Sequence, residues 1–157
     1  MKRDNDFQCD RESKHRVMEA MKEKYKPNIF TYEIEENPTA PIDCRAIGIT
    51  PNGKTIRYAI ECKHRNCKAD KYDTYYCEPS KYDTLNWSKL YDNVDRAYIA
   101  NEFSDGTILL WNINDLDPND TEDVMISRTT VGVGEYLSEK IKQKRILMKR
   151  DKAIKIK

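Results

Sequence analysis

Three residues whose types could act together lie mid-chain: Asp43, and then Glu61 and Lys63 within Tyr58-Ala59-Ile60-Glu61-Cys62-Lys63. Side chains alternate along an extended strand, so Glu61 and Lys63 share one face while Ile60 and Cys62 take the other. Because Tyr58, Ala59 and Ile60 are apolar, the charged pair emerges at the end of an otherwise buried strand. With Asp43 on the partner strand of a hairpin, two carboxylates converge beside an amine. Paired carboxylates form an all-oxygen site of the kind Mg²⁺ prefers, with positions open to water and a phosphate oxygen. The lysine can orient or help deprotonate the attacking water and offset charge on a phosphorane-like transition state. The chemistry this implies is phosphodiester hydrolysis. The plain alternative is an ion pair between Glu61 and Lys63 on a solvated sheet face, worth about 0–1 kcal/mol and without function.

A site of this kind needs a strand hairpin backed by helices. Residues 10–25 place Val17, Met18, Met21 and Tyr25 on one helical stripe, ended by Pro27. Asn28 to Ile34 is β-branched and aromatic, as strands are, and Glu36 to Pro41 reads as a loop. Ile42 to Thr50 and Thr55 to Lys63 form a hairpin around Pro51-Asn52-Gly53-Lys54, whose Asn-Gly favours a tight turn. His64 to Cys77 reads as a long polar loop, and Pro79 to Asp92 as a second helix with proline at its start. Asp95 to Phe103 and Thr107 to Ile113 make a second hairpin around Ser104-Asp105-Gly106. Beyond it, Leu116 to Asp123 reads as an acidic loop, Gly134 to Arg145 as a short basic helix, and Arg145 to Lys157 as a small hairpin around residues 149–152. The expected fold is α/β, a mixed central sheet flanked by helices, in a single domain over residues 1–157 with a basic C-terminal extension from about 134.

Asp43, a turn, and then Glu61-Cys62-Lys63, with a helix before and another after, resembles the PD-(D/E)XK nuclease superfamily. Its restriction-endonuclease-like core is helix, three-strand meander, helix, strand, and the resemblance covers roughly Arg11 to Ile113 in element order. It implies a Mg²⁺- or Mn²⁺-dependent endonuclease acting on DNA. Asp43 and Glu61 would hold the metal and Lys63 would serve the nucleophile, these three being the catalytic set. Many members add a glutamate from the first helix, for which Glu19 and Glu12 are both candidates here. The superfamily's Pro-Asp appears as Pro41-Ile42-Asp43, with one residue inserted. Glu78 to Leu85 (EPSKYDTL) resembles the lysine-bearing second helix of some phage and mobile-element branches. On this reading Lys81, Lys144, Arg145, Lys149 and Arg150 engage backbone phosphates, and a homodimer would suit a duplex with two scissile strands. The rival is a catalytically silent module of the same fold that binds nucleic acid or serves as a structural or interaction protein.

Composition bounds these readings. The 157 residues are 38% hydrophobic and 35% charged, with a net charge of +1, so a globally basic footprint is absent. Local asymmetry replaces it: residues 105–123 carry six acids and no Lys or Arg, and residues 140–157 carry nine bases and one acid. Ten Tyr, three Phe and two Trp argue against disorder. No apolar run approaches the ~20 residues that span a bilayer, the first 16 residues are polar, and five cysteines are an odd number for a disulfide framework. A cytoplasmic protein with reduced thiols is expected. Cys62, His64, Cys67 and Cys77 are four possible zinc ligands, although Cys62 should turn into the core and no C-x2-C knuckle is present. Lys71, Tyr72, Tyr75, Tyr76, Lys81, Tyr82, Trp87 and Lys89 could stack bases and pair phosphates, or supply the core side of a helix and its solvated rim.

Overall fold

Strands that alternate apolar and polar residues cover one face. Those apolar on both faces must be covered twice. Arg96–Phe103 is of the second kind, with every residue after Arg96 buried. A computed structural model describes residues 2–129 and 136–157 of the chain. Helix α1 (Lys2–Tyr25) leads into strands β1 (Ile29–Ile34), β2 (Cys44–Ile49), β3 (Thr55–Arg65) and β4 (Thr74–Cys77). Helix α2 (Pro79–Tyr91) follows, then β5 (Arg96–Phe103), β6 (Ile108–Asn112), β7 (Thr121–Thr129), β8 (Tyr136–Lys149) and the short β9 (Ile154–Lys155). The main sheet runs β1-β2-β3-β5-β6-β9, with β3 and β5 parallel and its other pairs antiparallel. A smaller antiparallel sheet is ordered β4-β8-β7.

Each face of the main sheet has its own core. Val17, Met18 and Met21 of α1 cover Tyr58, Ile60, Tyr98 and Leu110 on one side. On the other, Leu85 of α2 and Ile146 and Met148 of β8 cover Ala59, Ala97, Ile99 and Trp111. The mixed sheet flanked by helices is the fold class the sequence implies. The turn at Asn52-Gly53 needs its glycine, whose φ is +82°.

Several elements differ from the sequence reading. Helix α1 begins at Lys2, not near Asp10, since the preceding residues include no proline or glycine to stop it. The segment read as a loop over residues 64–77 is strand at both ends. The basic helix expected over 134–145 is strand from Tyr136 onward, with Gly134 and Glu135 outside the described residues. Lys, Gln and Arg favour helix intrinsically, but pairing of β8 with two neighbours overrides that preference. The acidic stretch enters strand at Thr121, and the register sets Glu122 against Arg145 and Asp123 against Lys144. Acidic and basic blocks are thus cross-strand neighbours. The terminal hairpin does not form. After Lys149 the chain turns, and β9 pairs with β6 while Ile154 and Ile156 pack on the α1-side core.

Trp111 is fully buried and donates its indole N–H to the Lys149 carbonyl at 2.8 Å, tying the end of β8 to the main sheet. Trp111→Phe removes that donor and leaves space behind it. Urea unfolding is expected to show a loss of about 2 kcal/mol. A loss under about 0.5 kcal/mol, the size of an ordinary surface change, would contradict this packing.

Candidate active site

Alternation along β3 sends Tyr58, Ile60 and Cys62 to the α1 side and Ala59 to the α2 side, and Glu61, Lys63 and Arg65 follow Ala59. Asp43 immediately precedes β2, where the register Cys44↔Ile60 brings it opposite Glu61. Its Oδ2 accepts the backbone N–H of Cys62 at 2.8 Å, which fixes the carboxylate against β3. Its Oδ1 lies 3.0 Å from the ammonium of Lys14, itself 2.9 Å from Asp10 Oδ2. Glu61 Oε1 lies 2.8 Å from Lys81 Nζ at the start of α2. Asp43, Glu61, Lys63, Lys14 and Lys81 all line one cavity of about 740 Å³, whose wall also includes Asn101 and Arg145. Lys63 itself is exposed.

Burial raises the Glu61 carboxyl, the adjacent Asp43 charge raises it further, and Lys81 draws it back, leaving it at about 7. For Lys14, burial acts to release the proton, but Asp10 and Asp43 outweigh it and hold the ammonium well above the usual lysine range. Lys81 is likewise raised, burial opposing and Glu61 prevailing. Four ionisable groups in contact therefore define the centre: two carboxylates, each with a lysine on one oxygen.

The donor set fits a hard divalent cation. Glu61 Oε2 is buried and has no hydrogen-bond partner among the described residues, an arrangement that costs free energy unless a cation or water occupies the space beside it. Carboxylate oxygens are the ligands Mg²⁺ and Mn²⁺ take, the remaining positions going to water or phosphate. Among the described residues no three His, Cys, Asp or Glu side chains gather to hold a metal by themselves. The four residues weighed as zinc ligands are likewise not brought together. Cys62 lies on the α1 side with its Sγ 3.8 Å from Cys44, while Cys77 belongs to the opposite core. All five cysteines are free.

Glu19 and Glu12, the alternatives for a first-helix ligand, do not line the cavity. Glu19 accepts from the Tyr32 hydroxyl at 3.0 Å, and Glu12 lies 3.9 Å from Arg16. The helix instead presents Asp10 and Lys14 to the site. The signal for Lys14 was its place three and four residues before Val17 and Met18, a charge on the apolar stripe. Asn101 was also missed. It is fully buried, both its amide atoms lack partners among the described residues, and it stands beside Lys63 in the β3–β5 register. Its signal was a polar residue directly after the apolar run Ala97-Tyr98-Ile99-Ala100.

The basic residues expected on phosphates fall in different places. Lys144 is exposed on β8, Lys149 lies 3.6 Å from Asp120, and Arg150 lies 3.0 Å from Asp73. Of this C-terminal group only Arg145 lines the cavity, 3.9 Å from Glu78. The aromatic set divides as well: Tyr75 is buried against Phe103 and Trp111, while Trp87 is exposed beside Tyr91. On the α1 face, His64 joins Ser13 and Arg16 around the buried Glu102. Burial would raise the Glu102 carboxyl, but the bonds from Arg16, Ser13 and His64 together hold it below its usual range. This cluster ties α1 to β5 behind the site. No described helix is long and apolar enough to cross a membrane.

A mixed central sheet flanked by helices, with these residues on its interior strand β3 and at the start of β2, is consistent with a restriction-endonuclease-like fold. The chain is similar in fold to Hjc, a Holliday junction resolvase from the archaeal hyperthermophile Archaeoglobus fulgidus. The likeness covers 92% of this chain and 94% of that one, with a TM-score of 0.56 and 14% sequence identity. No protein-family model and no curated protein matches the chain.

Proposed function

We propose that this protein is a PD-(D/E)XK-type endonuclease that hydrolyses phosphodiester bonds in DNA with the help of Mg²⁺ or Mn²⁺. The observation that carries the reading is the buried Glu61 Oε2, without a hydrogen-bond partner among the described residues, beside Asp43 and on the strand face shared with Lys63. Similarity in fold to a Holliday junction resolvase supports DNA as the substrate and makes branched DNA worth testing first.

Asp43 and Glu61 would hold the metal, which when bound supplies a Lewis acid for the phosphate oxygen and a more acidic water. The residues of the chain do the rest. The Cys62 N–H bond to Asp43 fixes one carboxylate before substrate arrives, so little reorganisation remains. Lys63, exposed on the cavity wall, orients the attacking water and balances the charge that develops on the phosphate. Lys81 keeps Glu61 in place from the start of α2, and Arg145 adds a second cation for the backbone.

The test is cleavage of supercoiled plasmid and of labelled single-stranded and four-way-branched DNA in Mg²⁺, Mn²⁺ or EDTA, with Lys63→Ala alongside. Metal-dependent cutting that disappears in EDTA and in the variant is the expected result. If wild type and variant alike cut nothing, the enzyme reading falls and a binding module of the same fold takes its place.

A further inference from the structure

The first helix puts a cation where metal-assisted nucleases commonly need anionic ligands. Lys14 is 6% exposed, and its ammonium is held between Asp43 Oδ1 at 3.0 Å and Asp10 Oδ2 at 2.9 Å. The cavity is lined by the carboxyl groups of Asp10, Asp43, Glu61 and Glu78 and by the cations of Lys14, Lys63, Arg65, Lys81 and Arg145, so positive charge already matches the carboxylates before any ion enters. Two-metal sites hold their ions about 3.5–4 Å apart, bridged and flanked by carboxylates. The Lys14 ammonium, 3.0 Å from Asp43 Oδ1, takes the place beside that carboxylate which a second, flanking ion would need. It is fixed by two ion pairs and shielded from solvent, so it cannot swing away as a surface lysine would.

We propose that the Lys14 ammonium takes the role of a second divalent cation, so that the site accepts a single metal ion, held by Asp43 and Glu61. This rests on the metal-dependent reading of the same site. Of the Asp43 and Glu61 oxygens, Glu61 Oε2 has no partner among the described residues, while each Asp43 oxygen already accepts one contact, from Lys14 or the Cys62 N–H, and keeps a lone pair for one incoming ion. A second divalent ion beside Asp43 would meet the Lys14 charge directly. The lysine also offers what a second ion would offer the reaction, a fixed positive charge beside the Asp43 carboxylate, without an added hydration shell to remove.

The experiment is calorimetric titration of the metal-free full-length protein with Mn²⁺ at pH 8, without DNA, followed by electron paramagnetic resonance of the loaded samples. Wild type should bind one Mn²⁺ per chain and give the six-line signal of an isolated ion. Lys14→Glu, which replaces the cation by a carboxylate, should bind two and give an exchange-coupled signal. Lys14→Gln, closer in shape and less demanding on folding, should admit the second ion at least tenfold more weakly than Lys14→Glu. Two ions in wild type, or one ion in both variants with circular dichroism unchanged, overturns the proposal while the nuclease reading stands. No ion in wild type, and no difference from Asp43→Asn, overturns the metal-dependent reading and this inference with it.

Discussion

Asp43→Asn is expected to lower the single-turnover rate of Mn²⁺-dependent DNA cleavage by about 10³-fold, the scale on which preorganised transition-state electrostatics operate. Asparagine keeps an acceptor for the Cys62 N–H, so the β2–β3 geometry survives, but the negative charge facing the metal position is gone. Lys14 keeps Asp10 as a partner, which limits the stability loss to about 1–2 kcal/mol. The rate and the fold therefore separate. Circular dichroism should be unchanged and the melting transition lowered by only about 2–8 °C while cleavage and Mn²⁺ binding fail together. A variant that folds and still cuts within tenfold of wild type would remove Asp43 from the centre and the proposed function with it.

Glu61→Gln should make the metal-free protein more stable relative to wild type as the pH rises. The carboxyl of Glu61 is raised to about 7 in the folded chain against 4.5 for the ordinary group, chiefly by burial and then by Asp43. Between those values the folded state binds a proton that the unfolded chain has released, so wild-type stability falls as pH climbs through the window. The stabilisation is fully present below pH 4.5 and is lost above about 7. A shift of this size corresponds to about 3 kcal/mol, which the glutamine variant lacks the means to lose. Urea unfolding of both proteins in EDTA at pH 4.5 and pH 8 reads the difference. The gap in favour of Glu61→Gln should widen by about 3 kcal/mol across the range. A gap that stays constant would mean that Glu61 is solvated and that the site is a plain ion pair. The two variants thus report on two properties of one site, Asp43 on what it does and Glu61 on the strain that a cation would relieve.

Much of this arrangement was legible in local patterns. Alternation alone put Glu61 and Lys63 on one strand face and Cys62 on the other, because the period of a strand is two residues whatever surrounds it. Asn52-Gly53 set the hairpin, and with it the register that brings Asp43 opposite Glu61. The stripe Val17, Met18, Met21 marked the face of α1 that meets the sheet. The basic run failed for a physical reason of the same kind. Lys140, Lys142 and Lys144 alternate with Ile141, Gln143 and Arg145, a strand period, but helix-favouring side chains masked it until β4 and β7 supplied partners. The glutamates of α1 were sought by residue type, and the helix turns a lysine and an aspartate to the cavity instead.

Local residue order settles the strand face that carries the chemistry, the hairpin that brings two carboxylates together, and the apolar faces that bury the sheet between helices, since each depends on residues near one another in the chain. Tertiary structure alone decided which charges meet. Lys14 reaches Asp43 across 29 positions (43 − 14), Lys81 reaches Glu61 across 20 (81 − 61), and the acidic and basic blocks neutralise each other across a strand pair. Ion pairs depend on distance in space and on burial, which local periodicity does not encode.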